Sequence, residues 1–203
     1  SQIIAQVASQ QYGGQTITLS HLAPFVDISR QKIKNRLTEE LNKIGVDLSP
    51  DQLHQLVEAE VTKEMESGCQ TIQYQLITLQ TTNGQAPFVT IFMYLHEVPE
   101  GQTRDDLAKL IEIMLKQRIL GVKDVTEAYI APAFPKLIYC LQDDNITEGS
   151  KYYDLTCLAA KCTAKRLVPD YISEKLMREL KGDVYPSNRI NASLSYTTSG
   201  IEA

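Results

Sequence analysis

The stretch Thr-Thr-Asn-Gly-Gln-Ala-Pro-Phe-Val-Thr-Ile-Phe, residues 81–92, carries a polar bend straight into an apolar run. Asn83-Gly84 is a turn signal, because asparagine tolerates unusual backbone angles and glycine permits positive φ. Residues 88–94, Phe-Val-Thr-Ile-Phe-Met-Tyr, have the β-branched and aromatic composition of a strand. The run is mostly apolar rather than alternating, which is how a strand covered by helices in a parallel sheet reads.

Outward from that strand the chain is helical. Downstream, Leu107, Leu110, Ile111, Met114, Leu115 and Ile119 form one face of a helix over 105–119, with Thr103 and Asp106 resembling a capping box and Gly121 closing it. Residues 134–141 read as a second strand, and "DDNITEGSK" as a polar turn. A helix over 154–166 ends basic, as its dipole prefers. Pro169 interrupts, and a last helix over 171–181 stops at Gly182. Upstream, residues 1–11 read as the end of a helix broken by Gly13-Gly14. Ile33, Leu37, Leu41 and Ile44 mark a helix over 20–44, with Pro24 near its start and Gly45 at its end. Ser49-Pro50-Asp51 announces another, striped by Leu53, Leu56, Val57 and Val61, whose pattern runs past Gly68 toward residue 80. Short strands separated by helices predict an α/β fold with a parallel sheet covered by helices. Two strands do not complete a sheet, so either further strands are hidden in the chain or these belong to a larger sheet or barrel.

Composition narrows the function classes. The chain has 203 residues and a net charge of −5, which gives no basic field for nucleic acid. No apolar run approaches a membrane span, and the first residues lack the basic-then-apolar order of a signal peptide. The expected setting is cytoplasmic. The four cysteines, Cys69, Cys140, Cys157 and Cys162, match no zinc spacing and are expected as reduced, mostly buried thiols with no metal. Asn145-Ile-Thr and Asn191-Ala-Ser fit the glycosylation pattern by chance. Residues 187–203 are rich in Ser, Thr and Asn without periodicity and read as a divergent tail.

At the bend, Thr81, Thr82, Asn83 and Gln85 offer short donors and acceptors, and Gly84 allows close backbone approach. A plain turn before a strand and a loop that reads a nucleotide both fit these residues.

In order along the chain come "QYGGQTI", "LAPFV", "YQLITLQTTNGQAPFVTIF", "FPKLIY", "AAKCTAKRLVPDYIS" and "KGDVYP". In this order the chain resembles the anaerobic (class III) ribonucleoside-triphosphate reductases, glycyl-radical enzymes, from about Ala8 to Pro186. The resemblance implies a ten-stranded α/β barrel, of which this chain supplies a part together with an N-terminal helical region. It implies reduction of ribonucleoside triphosphates, a glycyl radical made by a separate radical-SAM activase, a homodimer, a dNTP or ATP effector, and a structural zinc in the whole enzyme. No nucleic-acid or membrane partner is implied. Residues 1–186 are then barrel domain, with the helical dimer and effector region over about 1–80 and the strand–helix part over about 81–186. Thr81, Thr82, Asn83, Gly84, Gln85 and Pro87 are placed as the loop joining effector to substrate. Gly13, Gly14, Gln15 and Thr16 are candidate effector-pocket residues, and Lys136 is a candidate phosphate contact.

The chain departs from the family after Pro186, where "SNRINASL" stands in place of the cysteine-bearing finger loop, and no cysteine follows Cys162. The radical glycine and the zinc-type cysteines have no counterparts here, and Gly200 is not equated with the radical glycine. The expectation is an internal fragment with no catalytic residue and no cofactor of its own, inactive alone. A non-catalytic nucleotide-binding or oligomerisation module is the alternative.

Overall fold

A computed structural model describes residues 2–10, 14–78, 84, 87–123, 126–132 and 134–181. Helix α1 spans Gln2–Gln10 and strand β1 spans Gln15–Thr18. After a 3-10 turn come α2, Ala23–Ile44, and α3, Pro50–Thr78. Strand β2, Val89–Met93, leads to α4, Gln102–Leu120. Two short strands, β3 (Val122–Lys123) and β4 (Tyr129–Ile130), make an antiparallel hairpin. Strand β5, Lys136–Leu141, the single turn α5, Asp143–Ile146, and α6, Tyr153–Arg166, follow. Strand β6, Asp170–Ser173, runs into α7, Glu174–Lys181.

The main sheet is parallel throughout, in the order β1-β2-β5-β6. Its helix-covered face carries Val89, Ile91 and Met93 of β2 with Leu137 and Tyr139 of β5. These pack into one core with Val57, Val61, Met65, Cys69 and Leu76 of α3 and Leu107, Ile111, Met114 and Leu115 of α4. Each such side chain contributes roughly 1.5–3 kcal/mol on leaving water, so this layer dominates the fold. Because side chains alternate along a strand, the opposite face carries Phe92, Tyr94 and Cys140, packed with Ile138 and Ile172.

Local signals explain the helix ends. Ser49 and Gln52 form a reciprocal capping box at α3: the Gln52 amide donates to Ser49 Oγ at 3.2 Å and the Ser49 amide to Gln52 Oε1 at 2.9 Å. Gly45, at φ +69°, ends α2 in the left-handed region that glycine enters without strain. On α6, Arg166 reaches back to the terminal carbonyls of α4, donating to Ile119 O at 2.7 Å.

The α/β class and the parallel, helix-covered sheet stand, and several finer expectations are corrected. Strands β1 and β6 were hidden, each only four residues long. Residues 171–173 are strand, and the last helix begins at Glu174. The polar turn after β5 contains the helical turn α5, capped reciprocally by Gln142 and Asn145. The Thr103–Asp106 capping box does not form, because α4 starts after Gly101 and Asp106 is engaged by Arg30. Asn145 is fully buried, which suits the reading of its glycosylation pattern as chance. Among the described residues the sheets have four and two strands, and a ten-stranded barrel needs strands beyond these. Gly13, Gly182 and the tail 187–203 lie outside the described residues.

Candidate functional site

A parallel sheet sets all its strand starts on one edge, and that amino edge gathers most of the described candidates. Gln15 of β1 stands in register with Val89 of β2, and Lys136 of β5 with Thr90. Gly14 and Pro87 therefore flank the same edge although 73 positions separate them. The Gln15 amide donates to the Phe88 carbonyl at 2.8 Å. Gly14 lies against the Phe88 ring so closely that an added Cβ would stand 2.7 Å from Phe88 Cδ1. Phe88 in turn meets Phe134 edge to face, with ring centroids 5.2 Å apart. Both rings are substantially exposed.

The candidates at this edge differ in what they have free. The Gln15 side chain is buried and donates to the Ile4 carbonyl at 3.0 Å. Thr16 is exposed beside Thr90. Lys136 pairs with Asp170 at 2.7 Å, with their side chains 43% and 51% exposed. A pair that exposed is worth about 1 kcal/mol or less, so a phosphate could recruit Lys136 at small cost. Of the polar segment, Gly84 and Pro87 are described, whereas Thr81, Thr82, Asn83 and Gln85 lie outside the described residues.

A cavity of about 590 Å³ lies between α3, the end of α4 and the β3–β4 hairpin. Gln70, Gln73, Tyr74, Gln117, Lys123 and Tyr129 are among its lining residues. Its size falls within the range of small-molecule sites. Carboxamides present both donors and acceptors to a base edge, phenol rings can stack, and Lys123 can meet an anion. Gln117 donates to the Glu66 carbonyl at 2.8 Å, while its own Oε1 has no partner. Sequence reading did not single out this cavity. Its residues come from three elements, and only the recurrence of Gln and Tyr along α3 hinted at a polar stripe.

The carboxyl edge is built differently. Tyr94 donates to Glu174 at 2.6 Å, and His96 lies between Glu174 (2.9 Å) and Asp144 (3.3 Å). Arg178 also donates to Glu174, at 2.6 Å. Burial would raise the Glu174 carboxyl, but the hydrogen bonds from Tyr94 and Arg178 outweigh it and hold the group below its ordinary value. Burial, helped by the same hydrogen bond, pushes the Tyr94 phenol up. Each of these groups already has a partner, so this edge reads as a closed internal network. Among the described residues no cluster of His, Cys, Asp and Glu could hold a metal ion, and no helix is long and apolar enough to cross a membrane. The four cysteines are free thiols, three of them buried. Burial raises Cys162, and its neighbours Arg118 and Arg166 act against that rise.

The sequence matches the family described as anaerobic ribonucleoside-triphosphate reductase over residues 1–196. It is 35% identical over 176 residues to the Escherichia coli K12 protein named anaerobic ribonucleoside-triphosphate reductase, a match covering 85% of this chain and 22% of that protein. The Haemophilus influenzae protein of the same name is 35% identical over 177 residues, with the same shares. That of phage T4 is 32% identical over 190 residues, covering 92% of this chain and 28% of the phage protein. The chain thus spans between a fifth and a third of the length of these relatives.

Proposed function

Because the chain belongs to the anaerobic ribonucleoside-triphosphate reductase family, we propose that the natural gene product carrying it converts ribonucleoside triphosphates to deoxyribonucleoside triphosphates in the absence of oxygen. The observation that carries the reading is the family match over residues 1–196, which runs through every described element. In this reading residues 1–186 form part of the catalytic barrel, with a helical dimer and effector region over about 1–80 and the strand–helix wall over about 81–186. The 81–87 segment links a bound deoxynucleotide effector to the choice of base. What supports that role is position: the segment enters β2 beside Gly14 and Gln15, at the edge where Lys136 and Thr16 are exposed. The cavity beside α3 has carboxamides, phenols and a lysine that suit a nucleotide.

The radical chemistry belongs to groups not found in these 203 residues: a finger-loop cysteine, a glycyl radical installed by a radical-SAM activase, and a structural zinc held elsewhere in a homodimer. This chain contributes binding and orientation. Differential positioning of the substrate, rather than bond making, is the work its residues can do.

The test is anoxic turnover of the natural gene product with activase, S-adenosylmethionine and a reductant, followed by quantification of deoxynucleotides. Formation of deoxynucleotide from each ribonucleotide, tuned by added dNTP, is expected. Radical formation with no deoxynucleotide would overturn the reading. Tight nucleotide binding without turnover would favour a non-catalytic nucleotide-binding module instead.

A further inference from the structure

His96 stands in the short 3-10 turn Leu95–Glu97 that follows β2. Each of its ring nitrogens faces a carboxylate. Nδ1 lies 2.9 Å from Glu174 Oε2, and Nε2 lies 3.3 Å from Asp144 Oδ2. A neutral imidazole has one N–H, so it donates to only one of the two and turns a lone pair toward the other. Both contacts are hydrogen bonds only when the ring carries its second proton. The three groups come from three elements: the turn after β2, α5 and the start of α7.

What seats α7 gives this arrangement its weight. Leu176 and Leu180 are 53% and 71% exposed, so α7 buries little apolar surface among the described residues. Its described side-chain bonds to sequence-distant elements converge on Glu174, which accepts from Tyr94 at 2.6 Å and meets His96. The other charged and titratable groups around the ring are already placed. Arg178 donates to Glu174 Oε1 at 2.6 Å, and Arg104 of α4 lies 3.8 Å from Asp144 Oδ2. Asp144 Oδ1 is buried and has no partner among the described residues. The Tyr94 ring centroid is 6.1 Å from that of His96, Glu97 accepts from Thr18, and Asp143 is exposed. Against burial, the hydrogen bonds from Tyr94 and Arg178 hold Glu174 below its ordinary value, and the charge of His96 adds to their effect. Glu174 is therefore a carboxylate throughout the range in which an imidazole ordinarily titrates.

We propose that His96 is a proton-operated latch: as an imidazolium it ties α5 and the start of α7 to the carboxyl edge of the sheet, and as a neutral ring it lets the start of α7 loosen. An imidazole ordinarily carries its second proton at mildly acid pH and loses it over about pH 5 to 8. The latch is complete at the acid end of that range and gives up one of its two bonds as pH rises. Acidification tightens this edge until Glu174 itself takes a proton. Every group that forms the latch lies in this chain, so its action is independent of the proposed reaction.

The experiment is amide hydrogen–deuterium exchange by mass spectrometry on the natural gene product, from about pH 5.5 to about pH 8.5. Rates are corrected for intrinsic chemistry and read in peptides covering α7, with α4 as the control. In the wild type, protection of α7 is expected to fall about three- to tenfold across this range while α4 stays level. His96→Gln has no titrating ring, and is expected to hold α7 at one low level at every pH. Asp144→Asn offers an amide donor to the bare ring nitrogen, and is expected to keep α7 protected at the alkaline end as well. Level protection of α7 in the wild type overturns the latch. So does a fall that His96→Gln shares, or one that reaches α4 equally. If His96→Gln does not fold, Asp144→Asn decides: a level profile in that variant supports the latch, and the wild-type fall overturns it.

Discussion

Arg30 joins three helices with one guanidinium, and replacing it tests how much of the helical layer depends on charge. From α2 it donates through Nε to Glu58 of α3 at 2.6 Å, and through both terminal nitrogens to Asp106 of α4 at 2.6 and 3.1 Å. The Arg30 and Asp106 side chains are 12% and 7% exposed. Asp27 and Glu58, at 63% and 36%, keep much of their water. Arg30→Met preserves most of the apolar stem and removes the charge. Asp106 is then left with the Gln102 carboxamide, 3.0 Å away, as its described side-chain donor. Breaking a buried pair by deleting one member costs about 3–5 kcal/mol, whereas the exposed pairs add less than about 1 kcal/mol. A loss near 4 kcal/mol in a domain of this size corresponds to a fall in Tm of about 10 °C. The double variant Arg30→Met/Asp106→Leu removes both charges and is expected to recover most of the loss. Thermal and urea unfolding at low and high salt would measure it, with little salt dependence expected for a pair so shielded. A fall of less than about 2 °C in the single variant, or a double variant no better than the single, would refute the reasoning.

Glu174 holds its proton less firmly in the fold than its ordinary value of 4.5, so its contribution is present above that value and is lost as pH falls through the lower folded value. Glu174→Gln should therefore flatten the acid side of the stability profile, read as urea midpoints from about pH 7 down to pH 3. Gly14→Ala places a Cβ 2.7 Å from Phe88 Cδ1, and the half-exposed ring must swing aside. A cost of about 1 kcal/mol is expected, and an unchanged Tm would show that the ring moves freely. Gln85→Ala in the natural gene product should leave stability within about 0.5 kcal/mol and shift base preference several-fold. Equal selectivity in that variant would return the segment to a plain turn. The 203-residue chain alone, which has no cysteine after Cys162, should form no deoxynucleotide even with activase and reductant. Product detected by chromatography would contradict this.

The helical layer was legible because its signals are local and repeated. Val57, Val61, Met65 and Cys69 recur every four residues, and Ser49-Pro50 marks the start of α3 with residue types that suit those positions. The central strands were legible from the composition of residues 88–94 and 134–141. The outer strands were not. Gln15–Thr18 and Asp170–Ser173 are short, carry polar residues, and owe their extended form to pairing with β2 and β5 rather than to their own preference. The Thr103–Asp106 signal misled for the converse reason: an acidic residue near a helix start can serve a distant arginine better than its own backbone.

The site follows the same division between local and non-local signals. The polar bend announced itself by composition, but what stands beside Pro87 and Phe88 at the sheet edge could be found only by knowing that Gln15 lies opposite Val89. Once β1 is recognised, parallel geometry does the rest. Every amino end falls on one edge, so Gly14, Pro87 and Lys136 converge without any sequence pattern linking them. Arg118 was the least legible of all. A basic residue in the last turn of a helix ordinarily serves the dipole from the surface. Arg118 is buried with its terminal nitrogens on two proline carbonyls 14 and 17 residues downstream, which no pattern along α4 announces. The turn that this guanidinium holds carries Phe134, whose ring meets Phe88 edge to face just before β2.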